Sequence, residues 1–259
     1  MRTETPQNNS FVISKGLANL QCFFNSLTPI IAIYQAIKGC IPHTIFLYLT
    51  SFLLLLDFML SYGRDYYFDE GHQLTTLGLF DNSFNEKRLP NYDSEPYYNN
   101  SSINTIEIRL LANIHENALF TSRITKKMTT TFFVLSGLVF LSFLSNVFLN
   151  GIDDYSSIIL GFLLSGSILN RALKINNLKK RSEEVYKCAN ELCNDYEKQL
   201  LIKENFISKV LLLLLKYENA VFESKIILSK RIFLKLNNDI SEEWNKIKNK
   251  YSIYTNTHS

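Results

Sequence analysis

Apolar residues gather in two blocks, roughly residues 23–62 and 130–170, and polar or charged residues fill the remainder. A helix that crosses a bilayer needs about 20 mainly apolar residues to cover roughly 30 Å of hydrocarbon. "TIFLYLTSFLLLLDFMLSY" (Thr44–Tyr62) has that length with Asp57 as its one charge. "TTFFVLSGLVFLSFLSNVFL" (Thr130–Leu149) has it with no charge and is apolar on every side, unlike a helix of a soluble bundle, which keeps a polar face. "YSSIILGFLLSGSILN" (Tyr155–Asn170) is shorter, which tilt or local thinning of the bilayer accommodates. "CFFNSLTPIIAIYQAIKG" (Cys22–Gly39) is interrupted by Asn25, Pro29 and Gln35. It spans beside the next helix or lies at the interface; the short joint before Thr44 favours an antiparallel spanning pair.

Basic residues give the orientation. Arg123, Lys126 and Lys127 precede the third apolar segment, and Arg171, Lys174, Lys179, Lys180 and Arg181 follow the fourth, whereas the turn "NGIDDYSS" between them has none. The positive-inside rule therefore puts both outer flanks in the cytoplasm. The expected fold is an all-α integral membrane protein of the bacterial inner membrane. Its four transmembrane helices form two hairpins, joined by an irregular cytoplasmic loop and followed by cytoplasmic helices, with both termini cytoplasmic. The expected divisions are an N-terminal segment (1–22), a first hairpin (23–62), a loop and helix (63–128), a second hairpin (129–170) and a C-terminal helical region (171–259). The first twenty residues are polar, so no cleavable signal peptide is expected.

Residues 63–102 are rich in Asn, Asp, Tyr and turn formers and carry Pro90 and Pro96. They read as mostly irregular, with a short helix near Asp69–Gly78. The aromatic residues Phe80, Phe84, Tyr92, Tyr97 and Tyr98 need something to pack on, either the helices below the membrane or a partner. Helical periodicity resumes near Thr105, with Ile106, Leu110, Ile114 and Ala118 or Leu119 on one stripe, and continues into the third apolar segment or bends near Lys126. Beyond the fourth segment, Arg171–Lys203 reads as a charged helix with Leu173, Ile175, Leu178, Val185, Ala189 and Leu192 at helical spacing. A second helix is expected from about Asn205 to Leu236. Its "VLLLLL" run is too short to span and reads as a packing face or an oligomer contact. Ser241 reads as the cap of a further helix.

Composition adds limits. The net charge of +3 is too small to indicate a nucleic-acid partner. Cys22, Cys40, Cys188 and Cys193 have neither metal-site spacing nor a disulfide framework. There is no phosphate-cradling glycine loop and no nucleophile elbow. His115–Glu116 lacks the second histidine of a metal-binding helix, that position being Leu119. No catalytic, cofactor-binding or metal-binding residue is therefore expected, and the protein does not read as an enzyme. Asp57 has two readings: a functional carboxylate at hydrocarbon depth, or a side chain close enough to the cytoplasmic end to reach the headgroups and meet Arg64. Ser136, Gly137, Gly161 and Ser165 are among the small residues that permit close helix contacts and suit an oligomer.

The order of parts resembles the SMODS-associated four-transmembrane effector family of bacterial anti-phage defence systems. The resemblance is carried by an apolar hairpin, then "LFDNSF" with Phe80–Asp81 and Pro90, then "HENALFTSRITKKM" (His115–Met128) before a second hairpin. The helix Arg171–Leu192 follows that hairpin. The chain departs from the family in lacking a long leading helix and in the longer stretch around residues 79–100. The resemblance implies a membrane effector, held silent until infection, that a partner such as a nucleotidyltransferase releases to oligomerise and breach the inner membrane. Phe80, Asp81, Tyr97, Tyr98, His115 and Glu116 are then the expected partner contacts. The alternatives are a non-catalytic membrane anchor or adaptor that recruits a cytoplasmic partner, and a small transporter or immunity protein.

Overall fold

The computed structural model describes residues 7–38, 41–89, 100, 102–152, 156 and 169–255. Among them there are helices and no strands: α1 (Gln7–Lys38), α2 (His43–Phe84), α3 (Ile106–Asn150), α4 (Leu169–Glu197), α5 (Lys203–Ser224), α6 (Lys230–Lys250) and the short α7 (Ser252–Thr255). The chain divides into two units. One, the apolar unit, comprises Asn9–Phe68 and Thr129–Lys174; the other, the polar unit, comprises Met1–Asn8, Asp69–Met128 and Ile175–Ser259.

In the apolar unit, α1 and α2 run antiparallel. Phe11 meets Phe68 with ring centroids 5.8 Å apart, the Ser14 hydroxyl donates to the Arg64 carbonyl at 2.9 Å, and the Gln21 amide donates to Asp57 at 2.8 Å. As numbers rise along α1 they fall along α2, so the register is fixed at three points. Gly63 permits the approach: a Cβ there would come within 3.3 Å of Leu17 Cδ1. Two later residues also contact α3. Asn146 Nδ2 donates to Ser156 Oγ at 3.0 Å, and Arg171 lies over the Phe132 ring, 5.1 Å from its centroid. Gly151 makes the turn with φ +79°, a backbone state that glycine adopts without strain.

Two of these helices, α2 and α3, are long and apolar enough to cross a membrane. Their apolar segments leave large side chains on the outside, including Phe52, Leu54, Phe58, Met59, Val134, Leu138 and Leu141, with Phe148 91% exposed. Soluble monomers rarely carry contiguous apolar surface on this scale. The first apolar segment lies within α1 as far as Lys38. Most of the fourth, with Gly161 and Ser165, lies outside the described residues, as does Cys40.

The polar unit is built round the first half of α3. Leu110, Leu111, Ala112, Asn113, Ile114 and His115 are buried in succession, so the helix is covered on all sides. The expected stripe holds at Leu110, Ile114, Ala118 and Leu119, while Ile106 is exposed. On α4, Ile175, Leu178, Val185, Ala189 and Leu192 are buried as their spacing predicts, and Leu173 is exposed. The leucine run of α5 divides: Val210, Leu213 and Leu214 face the core, and Leu211, Leu212 and Leu215 face outward.

Four expectations are corrected. Helix α2 does not stop at Tyr62 but continues to Phe84, well past the short helix expected at Asp69–Gly78. Phe68, Gly71, Gly78, Leu79 and Asn82 are all buried at helical spacing, so the two glycines lie on one buried face of the helix. At the N-terminus, a 32-residue helix occupies Gln7–Lys38, where a polar segment without a long leading helix was expected. The helix expected over residues 205–236 breaks after Ser224, where Lys225 takes a left-handed conformation (φ 49°), and α6 begins at Lys230. Ser229 caps α6, its side chain accepting from Ile232 N, so Ser241 lies inside that helix rather than at its start. Helix α3, by contrast, continues past Lys126 as one of the two expected courses had it.

Candidate functional site

Among the described residues, the apolar unit contains an extended polar cluster. Asp57 and Arg64 are seven residues apart on α2 and so share a face, two turns apart. Gln21 of α1 joins them. Its amide NH2 donates to Asp57 Oδ1 at 2.8 Å, and its carbonyl accepts from Arg64 Nη1 at 2.7 Å. Arg64 also donates to Asp65 Oδ1 from Nε at 2.9 Å and from Nη2 at 2.7 Å, and to the Ser61 hydroxyl at 3.2 Å. Each polar end of the glutamine amide is matched to the charge it suits, which fixes its orientation. A lone carboxylate within an apolar helix is costly; here Asp57 is linked through one amide to a guanidinium. Sequence reasoning paired Asp57 with Arg64 as one alternative and missed Gln21, which supplies the connection. The signal was a polar residue at the very edge of the first apolar segment, but its partner depends on the register between two helices.

The polar unit holds a second cluster, around His115. Its Nδ1 lies 3.1 Å from the Tyr254 hydroxyl of α7. The rings of Tyr186, Trp244 and Tyr254 surround it with centroids at 5.1, 5.4 and 6.1 Å. Cys193 Sγ donates to the same Tyr254 oxygen at 3.1 Å. Burial lowers the His115 pKa to about 3 and raises that of the Cys193 thiol to about 12. Near neutral pH both groups are uncharged. A neutral imidazole enclosed by rings is neither a poised acid nor an accessible base, and a protonated buried thiol is a poor nucleophile.

Two residues earlier on α3, and so on the other side of the helix, Asn113 organises a buried amide network. It accepts from Asn100 Nδ2 at 2.9 Å and donates to Asn82 Oδ1 at 2.8 Å and Ser83 Oγ at 3.0 Å. Asn100 also donates to Glu116 at 2.8 Å; burial raises the Glu116 pKa. Asp81 accepts from the backbone N–H groups of Arg88 and Leu89 at 2.9 and 3.0 Å, closing the turn after α2. Arg109 spans the same turn, donating to the Ile103 and Asn82 carbonyls. A third cluster ties α2 to α5: Glu218 accepts from Thr76 at 2.6 Å and lies 3.4 Å from His72, while Lys225 pairs with Asp69 at 2.9 Å.

The expected contact residues thus divide by position. His115 and Asp81 are enclosed and act within the fold; Phe80 and Glu116 are half-buried; Tyr97 and Tyr98, with Pro90, lie outside the described residues. Among the described residues, no group of three His, Cys, Asp or Glu side chains is placed to hold a metal ion. Comparison of the chain with protein-family models, with curated proteins and with solved structures finds no match.

Proposed function

We propose that the protein is a membrane effector of bacterial anti-phage defence that permeabilises the inner membrane on activation. In this reading the apolar unit is the bilayer-inserted part, as two hairpins entering from the cytoplasm. The polar unit is cytoplasmic and transmits the signal of a partner, and copies assemble in the bilayer. The observation that carries it is the outward apolar surface of α2 and α3, which suits lipid or a second copy of the same helices. The resemblance of residues 115–128 and 171–192 to the four-transmembrane effectors supplies the defence role. The test is controlled expression in bacteria with a membrane-impermeant dye. Dye entry preceding loss of viability is expected; death behind intact membranes would exclude the proposal.

A second reading, an anchor that recruits a cytoplasmic partner, is favoured by one feature. Helix α5 leaves Leu211, Leu212, Leu215 and Phe222 exposed on the polar unit, outside the apolar segments. In this reading those residues dock the partner, and cells expressing the protein exclude the dye.

A further inference from the structure

Arg171 stands apart among the described charged residues of the apolar unit. Its guanidinium lies over Phe132, 5.1 Å from the ring centroid, and its Nε is enclosed with no acceptor among the described residues. The carboxylates of Asp65 and Asp57 are engaged elsewhere, Asp65 with Arg64 and Asp57 with Gln21. Burial, and after it the neighbouring Arg64 charge, push the Arg171 guanidinium below its ordinary value, opposed by Cys22. An arginine can offer five N–H donors, and leaving buried donors unmatched is costly. Yet Arg171 follows the fourth apolar segment directly, Arg64 stands two residues beyond the second, and Phe132 is in the first turn of the third. Three segments thus bring an aromatic floor and two guanidinium groups to one end of the unit. At the end of a spanning helix the abundant acceptor is the phosphate of a lipid headgroup, whose oxygens fit the guanidinium fork.

We propose that Arg171, seated on Phe132 beside Arg64, holds the phosphate of a membrane phospholipid. The Phe132 ring packs against the guanidinium, and Arg64 adds long-range attraction while its own donors remain with Asp65 and Gln21. The site rests on the membrane reading of the apolar unit and names a ligand for it.

The experiment uses the full chain in an uncharged maltoside detergent. Intact-protein mass spectrometry counts retained lipid after addition of dioleoyl phosphatidylglycerol, dioleoylglycerol or inorganic phosphate. The wild type is expected to retain one phosphatidylglycerol and no dioleoylglycerol. Arg171→Gln should lower that occupancy about tenfold, as loss of a charged hydrogen-bonding pair implies, with unchanged helical circular dichroism. Arg171→Lys, which keeps the charge and loses the fork, should fall between, and Arg181→Gln should match the wild type. Equal retention by Arg171→Gln, or equal retention of dioleoylglycerol, overturns the site. Displacement of the lipid by millimolar inorganic phosphate overturns the lipid as its source in favour of a soluble phosphate. A chain that stays dispersed and monomeric without detergent overturns the membrane reading itself, whereas a detergent-dependent chain with Arg171-independent lipid overturns this inference alone.

Discussion

His115 makes the stability of the polar unit depend on pH in a calculable way. The perturbation is acidification from pH 7 to pH 5. Its imidazole has a pKa lowered to about 3 by burial, against about 6.5 in the unfolded chain. A depressed folded-state value means that the stabilisation is present above pH 6.5 and is lost as the pH falls from 6.5 towards 3, because the unfolded chain takes up a proton that the folded chain refuses. At pH 5, roughly 1.5 units below the unfolded-state pKa, the unfolded chain is protonated at this site and the folded chain is not. At about 1.36 kcal/mol per unit, the loss is about 2 kcal/mol, a large part of a typical domain's stability. His72, also depressed, adds in the same direction. Glu116 and Glu218, both raised by burial, oppose it, since their contribution is greatest in acid and is lost as the pH rises above 4.5. The comparison that isolates His115 is therefore His115→Phe, which keeps a ring among Tyr186, Trp244 and Tyr254 and removes the titration. Trp244 is the sole tryptophan, and its ring meets His115 edge-on at 5.4 Å, so its fluorescence in urea reports on this unit. Between pH 7 and pH 5 the wild type should lose about 2 kcal/mol more than His115→Phe. Parallel pH profiles for the two proteins would refute the assignment of His115 as a neutral buried group.

The same unit supports two further tests. Asn113→Leu removes three buried hydrogen bonds and should cost about 2–4 kcal/mol by urea unfolding, whereas Glu107→Gln, which breaks only the exposed pair with Lys203, should cost about 0.5 kcal/mol or less. With its pKa raised to about 12, Cys193 should resist iodoacetamide at pH 8 in the folded protein and react once urea unfolds it. Reaction at equal rates in both states would mean that the thiol is not enclosed by Tyr254 and the helices around it.

What the sequence made legible was whatever depends on one helix at a time. The stripe at Leu110, Ile114 and Ala118 marks a buried face because side chains three and four apart stand above one another. The unbroken apolar character of Thr130–Leu149 marks a helix with no polar side to offer water. The continuation of α2 to Phe84 was hidden because Gly71 and Gly78, taken singly, look like punctuation, while with Phe68, Leu79 and Asn82 they lie on one buried face. The break at Lys225 was hidden for the opposite reason: nothing in its side chain announces a left-handed backbone. Tyr254, which closes the His115 cage from 139 residues away, carried no signal in any local window.

The polar cluster of the apolar unit depends instead on two helices at once, and its register bears on mechanism. Seven-residue spacing places Asp57 and Arg64 on one face, and a short joint implies that α1 runs antiparallel to α2. Neither fact says that Gln21 is the residue opposite; that depends on the packing of Leu17 against Gly63, which sets the register. Once the register is set, the Asp57 carboxylate is no longer a lone charge at depth, because the Gln21 amide ties it to Arg64. Its presence in an apolar helix is then explained by helix pairing, without a water-filled path. The proposed permeabilising role therefore draws no support from Asp57 as a pore lining. That proposal rests on the apolar faces of α2 and α3, whose exposed side chains suit lipid or further copies of the chain.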